Sequence, residues 1–186
     1  SLIALSTVGQ SFIGYTLKSP AKSTPIKITS LVEYEEKFGC ARPEPIRMTV
    51  SPAGNSYNVS IPQITPKYCM YYQIRMFFGN GGGACYVVSA GSFSEHPKSK
   101  TALIAGLRGV KKKDEITLIV FADSPETEHD ELNKAALAQA GSLGDRFAIL
   151  DVPDHPTDPI AEFRSNIGTR HLSFGAAYYP KLNTVL

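Results

Sequence analysis

The sequence has few cysteines, no long apolar run and almost no excess charge. Its three cysteines, Cys40, Cys69 and Cys85, form no CxxC pair and no Cys/His pattern. We therefore expect buried free thiols in a reducing compartment, not a disulfide framework or a zinc site. No apolar run is long enough to span a bilayer, so we expect no direct membrane insertion. The net charge is only +2, and the single dense basic run, at 111–113, is followed at once by two acidic residues, so we expect no nucleic-acid partner.

The stretch at 67–89, KYCMYYQIRMFFGNGGGACYVVS, organises the rest of the chain. Its apolar residues recur at three- and four-residue steps, which predicts a helix over 67–78 with Pro66 just before its start. The glycine-rich run GNGGG at 79–83 predicts the end of that helix, and ACYVVS at 84–89 predicts a buried strand. A phosphate-binding loop joins a strand to the start of a helix, whereas here the helix comes first. We therefore interpret the glycines as a helix-to-strand connection.

Short strands alternate with helices along most of the chain. Strands that are apolar on both faces and alternate with helices indicate an α/β fold, with a mainly parallel sheet flanked by helices. Ser30 and Glu33 form a capping box, and Ser124 is expected to cap the helix that follows it. The segment 46–62 alternates around PAGNS and predicts a β-hairpin, which we place at 44–62 as an insertion in a single α/β domain spanning 1–186. The remaining predicted strands are 11–16, 26–29, 116–121, 147–150 and 172–179, and the remaining helices are 31–38, 100–110, 125–140 and 159–167.

Carboxylates follow two of the predicted strands. Asp123 comes after the strand at 116–121, and Asp151 and Asp154 lie at the end of the next one, at the edge where open α/β sheets place ligands. With the histidines at 129, 155 and 171, these residues are compatible with a metal-assisted hydrolase. The same segments, FADSPE and LDVPDHP, are also typical of turns and helix caps. No GxSxG nucleophile elbow occurs, and no second feature supports a site at these carboxylates, so we assign no catalytic, cofactor-binding or metal-binding residue.

Four segments in a fixed order resemble the contractile tail sheath proteins of bacteriophages and of phage-like contractile injection systems. They cover most of the chain outside the hairpin and the 91–115 region. They are SFIGYT with PIKITSLVEYEEKFG, then YYQIRMFFGNGGGACYVVS, then ITLIVFADSPE with DRFAILDVP, and finally FRSNIGTRHLSFGAAYYPKL.

The resemblance implies a structural subunit, not an enzyme, with no cofactor. Sheath proteins polymerise around an inner tube and contract to drive that tube through a target cell envelope. The implied partners are neighbouring copies in six-fold helical rings, the inner tube protein, and baseplate and terminator proteins. The implied setting is assembly in the bacterial cytoplasm as part of a phage tail or phage-like particle. Because sheath subunits carry terminal arms that exchange strands with neighbours, we expect this chain to be a fragment of a longer subunit that is soluble, mostly monomeric and unable to form tubes.

The alternative is an α/β metal-dependent hydrolase or nucleotide-binding enzyme that uses Asp123 and Asp151. Replacing both residues with alanine separates the two hypotheses. A catalytic site would lose metal or ligand binding, whereas a sheath protein is expected to lose about 1 kcal/mol of stability for each lost cap.

Overall fold

Strands and helices alternate along the chain, which the computed structural model describes over residues 9–62, 66–95, 97–153 and 157–180. The strands are β1 (Gly9–Thr16), β2 (Pro25–Ile28), β3 (Thr49–Ala53), β4 (Ser56–Ser60), β5 (Cys85–Ser92), β6 (Ile116–Phe121), β7 (Phe147–Asp151) and β8 (Gly175–Tyr178). The helices are α1 (Leu31–Phe38), α2 (Met70–Gly79), α3 (Lys100–Val110), α4 (His129–Leu143) and α5 (Pro159–Ile167).

Six strands form one sheet in the order β2-β5-β1-β6-β7-β8, and β3 with β4 forms a separate two-stranded sheet. All neighbouring strands of the large sheet run parallel except β2, which pairs with β5 in the antiparallel direction. The predicted fold class is therefore confirmed, including the antiparallel hairpin.

Helices cover both faces of the large sheet. Successive residues of β1 point to opposite faces, as expected for a strand, so that Phe12 packs with α1 and α2 while Ile13 packs with α3 and α4. Both side chains are buried, at 4% and 0% exposure. This burial on both faces is the reason the strands are apolar throughout.

Helices α1 and α5 begin and end where the capping residues next to them predict. Ser30 Oγ accepts the Glu33 N–H, which begins α1, and Gly39 ends it with φ at +82°. The Glu33 carboxylate bonds the N–H and hydroxyl of Thr29, one residue before the position that a capping box predicts. The Asp158 carboxylate caps α5 by accepting the N–H groups of its first turn.

Three predicted elements begin at the wrong residue, and one of them is the helix predicted at 67–78, which begins at Met70. The helix predicted at 125–140 starts as a 3₁₀ turn at Glu126–Glu128 and becomes α-helical only at His129. Ser124 does not cap it, because Pro125 with ψ at 140° is still extended, and the buried Ser124 Oγ has no hydrogen-bond partner in the described part of the chain. The strand predicted at 172–179 is a 3₁₀ turn followed by the shorter β8.

The glycine-rich run connects a helix to a strand, as predicted. Gly81 has φ at +82°, a conformation that favours glycine. The N–H of Gly82 donates to the Phe77 carbonyl, and a Cβ at Gly82 would lie 2.6 Å from the Phe77 ring. The run therefore ends α2 by local backbone bonds and close packing, not by holding a phosphate.

The cysteines are all free, as predicted, but only one is fully buried. Cys85 lies inside β5, whereas Cys69 is half-buried and Cys40 is exposed. The expectation of three buried thiols is wrong because Cys40 follows the glycine that ends α1 and sits in the loop toward the hairpin.

Candidate functional site at the carboxyl edge of the sheet

The chain changes direction across the sheet between β1 and β6. The sheet strands that follow β1 in the chain, β2 and β5, lie on one side of it, whereas β6, β7 and β8 lie on the other. Open α/β sheets bind ligands in the crevice at the carboxyl ends of such a pair of strands. Asp123, two residues after β6, lies at this crevice, where the sequence predicted it.

Asp123 is a buried carboxylate bonded to the backbone of two distant elements. Its Oδ2 accepts the N–H of Tyr15 in β1 at 2.8 Å, and its Oδ1 accepts the N–H of Cys69 at the start of α2 at 2.5 Å. The side chain is 0% exposed, and the Lys98 ammonium lies 3.8 Å away. Asp123 therefore ties β1, β6 and α2 together at one point.

The electrostatics of Asp123 combine opposing effects. Burial, the largest of them, raises the pKa of the Asp123 carboxyl above its ordinary value. The Lys98 ammonium and the backbone N–H groups of Tyr15, Cys69 and Met70 favour the charged form and oppose that rise. The partners of Asp123 are thus backbone donors and one ammonium, which hold the carboxyl group in a fixed structural position.

Aromatic rings fill the space beside this carboxylate. The Tyr68 ring lies 5.6 Å from Tyr15 and stacks on Phe93 at 4.7 Å, measured between ring centroids. Lys98 and Arg42 lie over the Tyr68 ring at 5.4 Å and 5.7 Å. The Tyr15 hydroxyl accepts the N–H of Ser99, the cap residue of α3, at 2.7 Å. The crevice is therefore occupied by this chain's own side chains.

Asp123 is also the cap that the start of α2 needs. The helix begins at Met70 instead of 67, and its N-cap is Cys69, which is not one of the preferred capping residues. The carboxylate that bonds the first N–H groups comes from 54 residues further along the chain. The expectation that Asp123 acts in the turn of its own segment is wrong, and the only sequence signal for its role was the absence of a good cap before α2.

The other polar residues singled out in the sequence do not gather around Asp123. Asp151 ends the neighbouring strand β7, and its backbone carbonyl accepts the Asn133 side-chain amide at 3.3 Å. His129 begins α4, while His171 packs against Gly141 near the other end of that helix. Gly141 lies twelve residues after His129 along α4, which is a distance of about 18 Å. Asp154 and His155 lie outside the described residues.

No metal centre is evident in the described part of the chain. Among those residues no three His, Cys, Asp or Glu side chains are arranged to hold an ion. Two surface grooves, of about 510 Å³ and about 440 Å³, lie elsewhere, and neither is lined by Asp123 or Asp151. Within the same ranges, no helix is both long and apolar enough to cross a membrane.

Comparison with solved structures gives the fold a precedent. Over 94% of its length the chain superposes on 39% of a chain in the cryo-EM structure of the contracted helical sheath of the anti-feeding prophage, with a TM-score of 0.58 and 21% identity. This chain is sheath-like in its fold. A chain in the six-fold symmetrised baseplate structure of the same prophage matches with a TM-score of 0.58 and 22% identity, over 95% of this chain and 41% of that one.

The sheath-like chain spans about two fifths of the length of the two chains it matches. No protein-family model and no curated protein matches it. The resemblance predicted from the four ordered segments is confirmed at the level of the fold, and both similar chains are components of an assembly.

Proposed function

We propose that this chain is the core domain of a contractile sheath subunit, with residues 1–186 acting as one α/β domain and 44–62 as its inserted hairpin. The observation that carries the proposal is the structural similarity to a chain of a contracted helical sheath over 94% of these residues. The ordered family-like segments in the sequence support it independently.

In this proposal the chain works by assembly and not by catalysis. Copies form six-fold helical rings around an inner tube, between a baseplate and a terminator, and the particle is built in the bacterial cytoplasm. The lattice has an extended and a contracted arrangement, and contraction is a shift to the arrangement with the better subunit contacts. The free energy available per subunit is multiplied over the copies and drives the tube through a target envelope.

The geometry around Asp123 supports this function over the hydrolase or nucleotide-binding alternative. A catalytic carboxylate must reach a substrate or an ion, whereas Asp123 is fully buried and directs both oxygens at backbone N–H groups. Aromatic side chains occupy the crevice in which a ligand would bind.

Electron microscopy tests the proposal directly. The whole gene that encodes this chain is expressed first alone and then with its neighbouring genes, and both preparations are examined by negative stain. We expect hollow striated tubes, or sheaths around a narrower core. A homogeneous small particle in both preparations would count decisively against a sheath subunit.

A further inference from the structure

The β3–β4 hairpin has one apolar face and one polar face. Val50 pairs with Val59 and Pro52 pairs with Tyr57, so these four side chains share a face. The alternation extends this face to Met48 and Ile61, just outside the strands. The opposite face carries only small or polar residues, which are Thr49, Ser51, Ala53, Ser56, Asn58 and Ser60.

The apolar face is exposed to solvent. Val50 is 52% exposed, Val59 is 59% exposed and Tyr57 is 71% exposed. Met48 and Ile61 are similarly open, at 64% and 59%. Together these side chains present on the order of 400–500 Å² of apolar surface, at the upper end of what monomers expose and typical of an interaction site. A two-stranded hairpin with an uncovered face is also marginally stable alone, so a covering partner is expected.

The size and charge of the face indicate a protein surface as the partner. A standard interface buries about 800 Å² on each side, of which about 57% is apolar, and this nearly equals the apolar area of the hairpin face. The segment 48–61 contains no charged residue. It therefore lacks the cations that bind nucleic acid or anionic lipid headgroups.

A groove of about 510 Å³ lies in the layer formed by α1 and α2 on one face of the large sheet. Its apolar lining comes from Leu31, which begins α1, and from Met76 and Phe78 near the end of α2, and its polar rim comes from Arg75 and Asn80. The hairpin precedes the start of α2, and the ten residues of that helix span about 15 Å. The Lys67 N–H, just before α2, donates to Glu44, just before the hairpin, at 3.0 Å. The hairpin therefore leaves the α1/α2 layer near the start of α2, whereas the groove lies near the end of that helix.

We propose that the apolar face of the hairpin docks into the α1/α2 groove of a second copy of this chain. Because the two surfaces differ, the contact is heterologous and repeats from copy to copy. The proposal deepens the proposed function and rests on it in one respect, since the second copy is taken to be a neighbouring subunit. The interface is near the lower size limit for a stable complex, so association of the isolated chain is weak.

Sedimentation velocity of the 186-residue chain tests the contact, from about 5 µM to about 500 µM, the range in which a weak interface forms and dissociates. We expect the wild-type protein to shift to larger species as its concentration rises. Val59→Lys, on the apolar face, should weaken association at least tenfold. Asn58→Lys adds the same charge to the adjacent residue on the polar face and should leave association unchanged. Circular dichroism checks that each variant is folded.

A mixing experiment tests the groove. Met76→Lys keeps the length of the side chain and should also abolish self-association, whereas Gln73→Lys, one turn earlier on α2 and outside the groove, should not. Mixed together, the Val59→Lys and Met76→Lys variants retain one intact groove and one intact hairpin, so they should form a dimer that grows no further. Association of Met76→Lys alone at wild-type strength would overturn the proposal and indicate that hairpins pair with each other.

Two further results would also overturn the proposal. The first is a wild-type protein that stays monomeric over the whole concentration range. The second is co-sedimentation with lipid vesicles that Val59→Lys abolishes, which makes a membrane the partner. Striated tubes with association insensitive to Val59→Lys would refute this contact while the proposed function stands. Hairpin-dependent association without tubes would refute the proposed function and leave the contact in place.

Discussion

Replacing Asp123 with alanine should destabilise the fold far more than the loss of a surface helix cap does. The change removes the acceptor of the Tyr15 N–H, which is buried, and of the Cys69 N–H, which is partly buried. It also removes the only carboxylate within 4 Å of Lys98 among the described residues, and that side chain is 19% exposed.

The magnitude follows from these contacts. Each buried N–H left without an acceptor costs about 1–3 kcal/mol. Removing one partner of a fully buried ion pair costs about 3–5 kcal/mol, which is an upper figure here because Lys98 is partly exposed. These effects overlap, since water enters part of the space left by the carboxylate, so we expect a total loss of about 3–5 kcal/mol. The figure of about 1 kcal/mol expected from the sequence is too small because it assumed an exposed cap.

Urea unfolding followed by far-UV circular dichroism measures this loss, because the chain has no tryptophan for fluorescence. Asp158→Ala is the matched control, since Asp158 also caps a helix by accepting backbone N–H groups but its bonds are exposed. That control should cost about 1 kcal/mol. The reasoning is wrong if Asp123→Ala costs no more than Asp158→Ala. In the thermal midpoint, the expected loss corresponds to about 10 °C for a chain of this length.

The sign of the pH dependence differs between two carboxyl groups. Burial raises the folded-state pKa of Asp123, so the folded state binds a proton more readily than the unfolded state. Its titration therefore adds stability as the pH falls through that raised pKa. The opposite holds for a carboxyl group whose folded-state pKa is depressed.

The Lys37 ammonium and the Thr29 N–H and hydroxyl lower the pKa of Glu33 from 4.5 to about 2, so Glu33→Gln should cost about 1 kcal/mol of stability at pH 7. Urea unfolding should show this cost shrinking as the pH falls from about 4.5 toward 2. A cost that stays constant with pH would contradict the prediction. A Cβ at Gly109 in α3 would lie 1.9 Å from a backbone oxygen of the β1–β2 loop, so Gly109→Ala should destabilise by about 1–3 kcal/mol in the same assay. A Cβ at Gly79 meets nothing within 4 Å, so Gly79→Ala is the control and should change stability by less than about 1 kcal/mol. Burial raises the pKa of the Cys85 thiol to about 12, so Cys85 should react with a maleimide only on unfolding, whereas the exposed Cys40 should react at once, as mass spectrometry of the labelled peptides would show.

The sequence predicted the elements whose boundaries depend on neighbouring residues. The bounds of α1, α3, α5 and β6 match because Ser30, Ser99 and Asp158 cap the helices from the adjacent position and β6 is a continuous apolar run. Helix α2 started late because its cap is supplied through space by Asp123. Local patterns showed only that α2 lacks a good cap of its own, and not which distant residue supplies one.

The position of Asp123 was predictable and its role was not. The rule that strand ends meet at one edge placed the residue correctly. Whether a carboxylate at that edge faces a ligand or the protein's own backbone depends on what fills the crevice. Here the crevice is filled by Tyr68, which precedes α2, and by Phe93, which follows β5, so their contact becomes visible only in three dimensions.

Helix α2 connects the buried carboxylate to both proposed contact surfaces. Its first N–H groups bond Asp123, the hairpin precedes its start, and its last turn lines the groove. Because Asp123 also bonds Tyr15 in β1, α2 is fixed to the centre of the sheet at the end from which the hairpin emerges. We therefore expect a load on the proposed hairpin contact to reach the six-stranded sheet through α2 and its bond to Asp123. A doubly wound fold that binds a ligand keeps this crevice open, so the closed crevice is more consistent with the proposed structural role than with a site that admits a substrate.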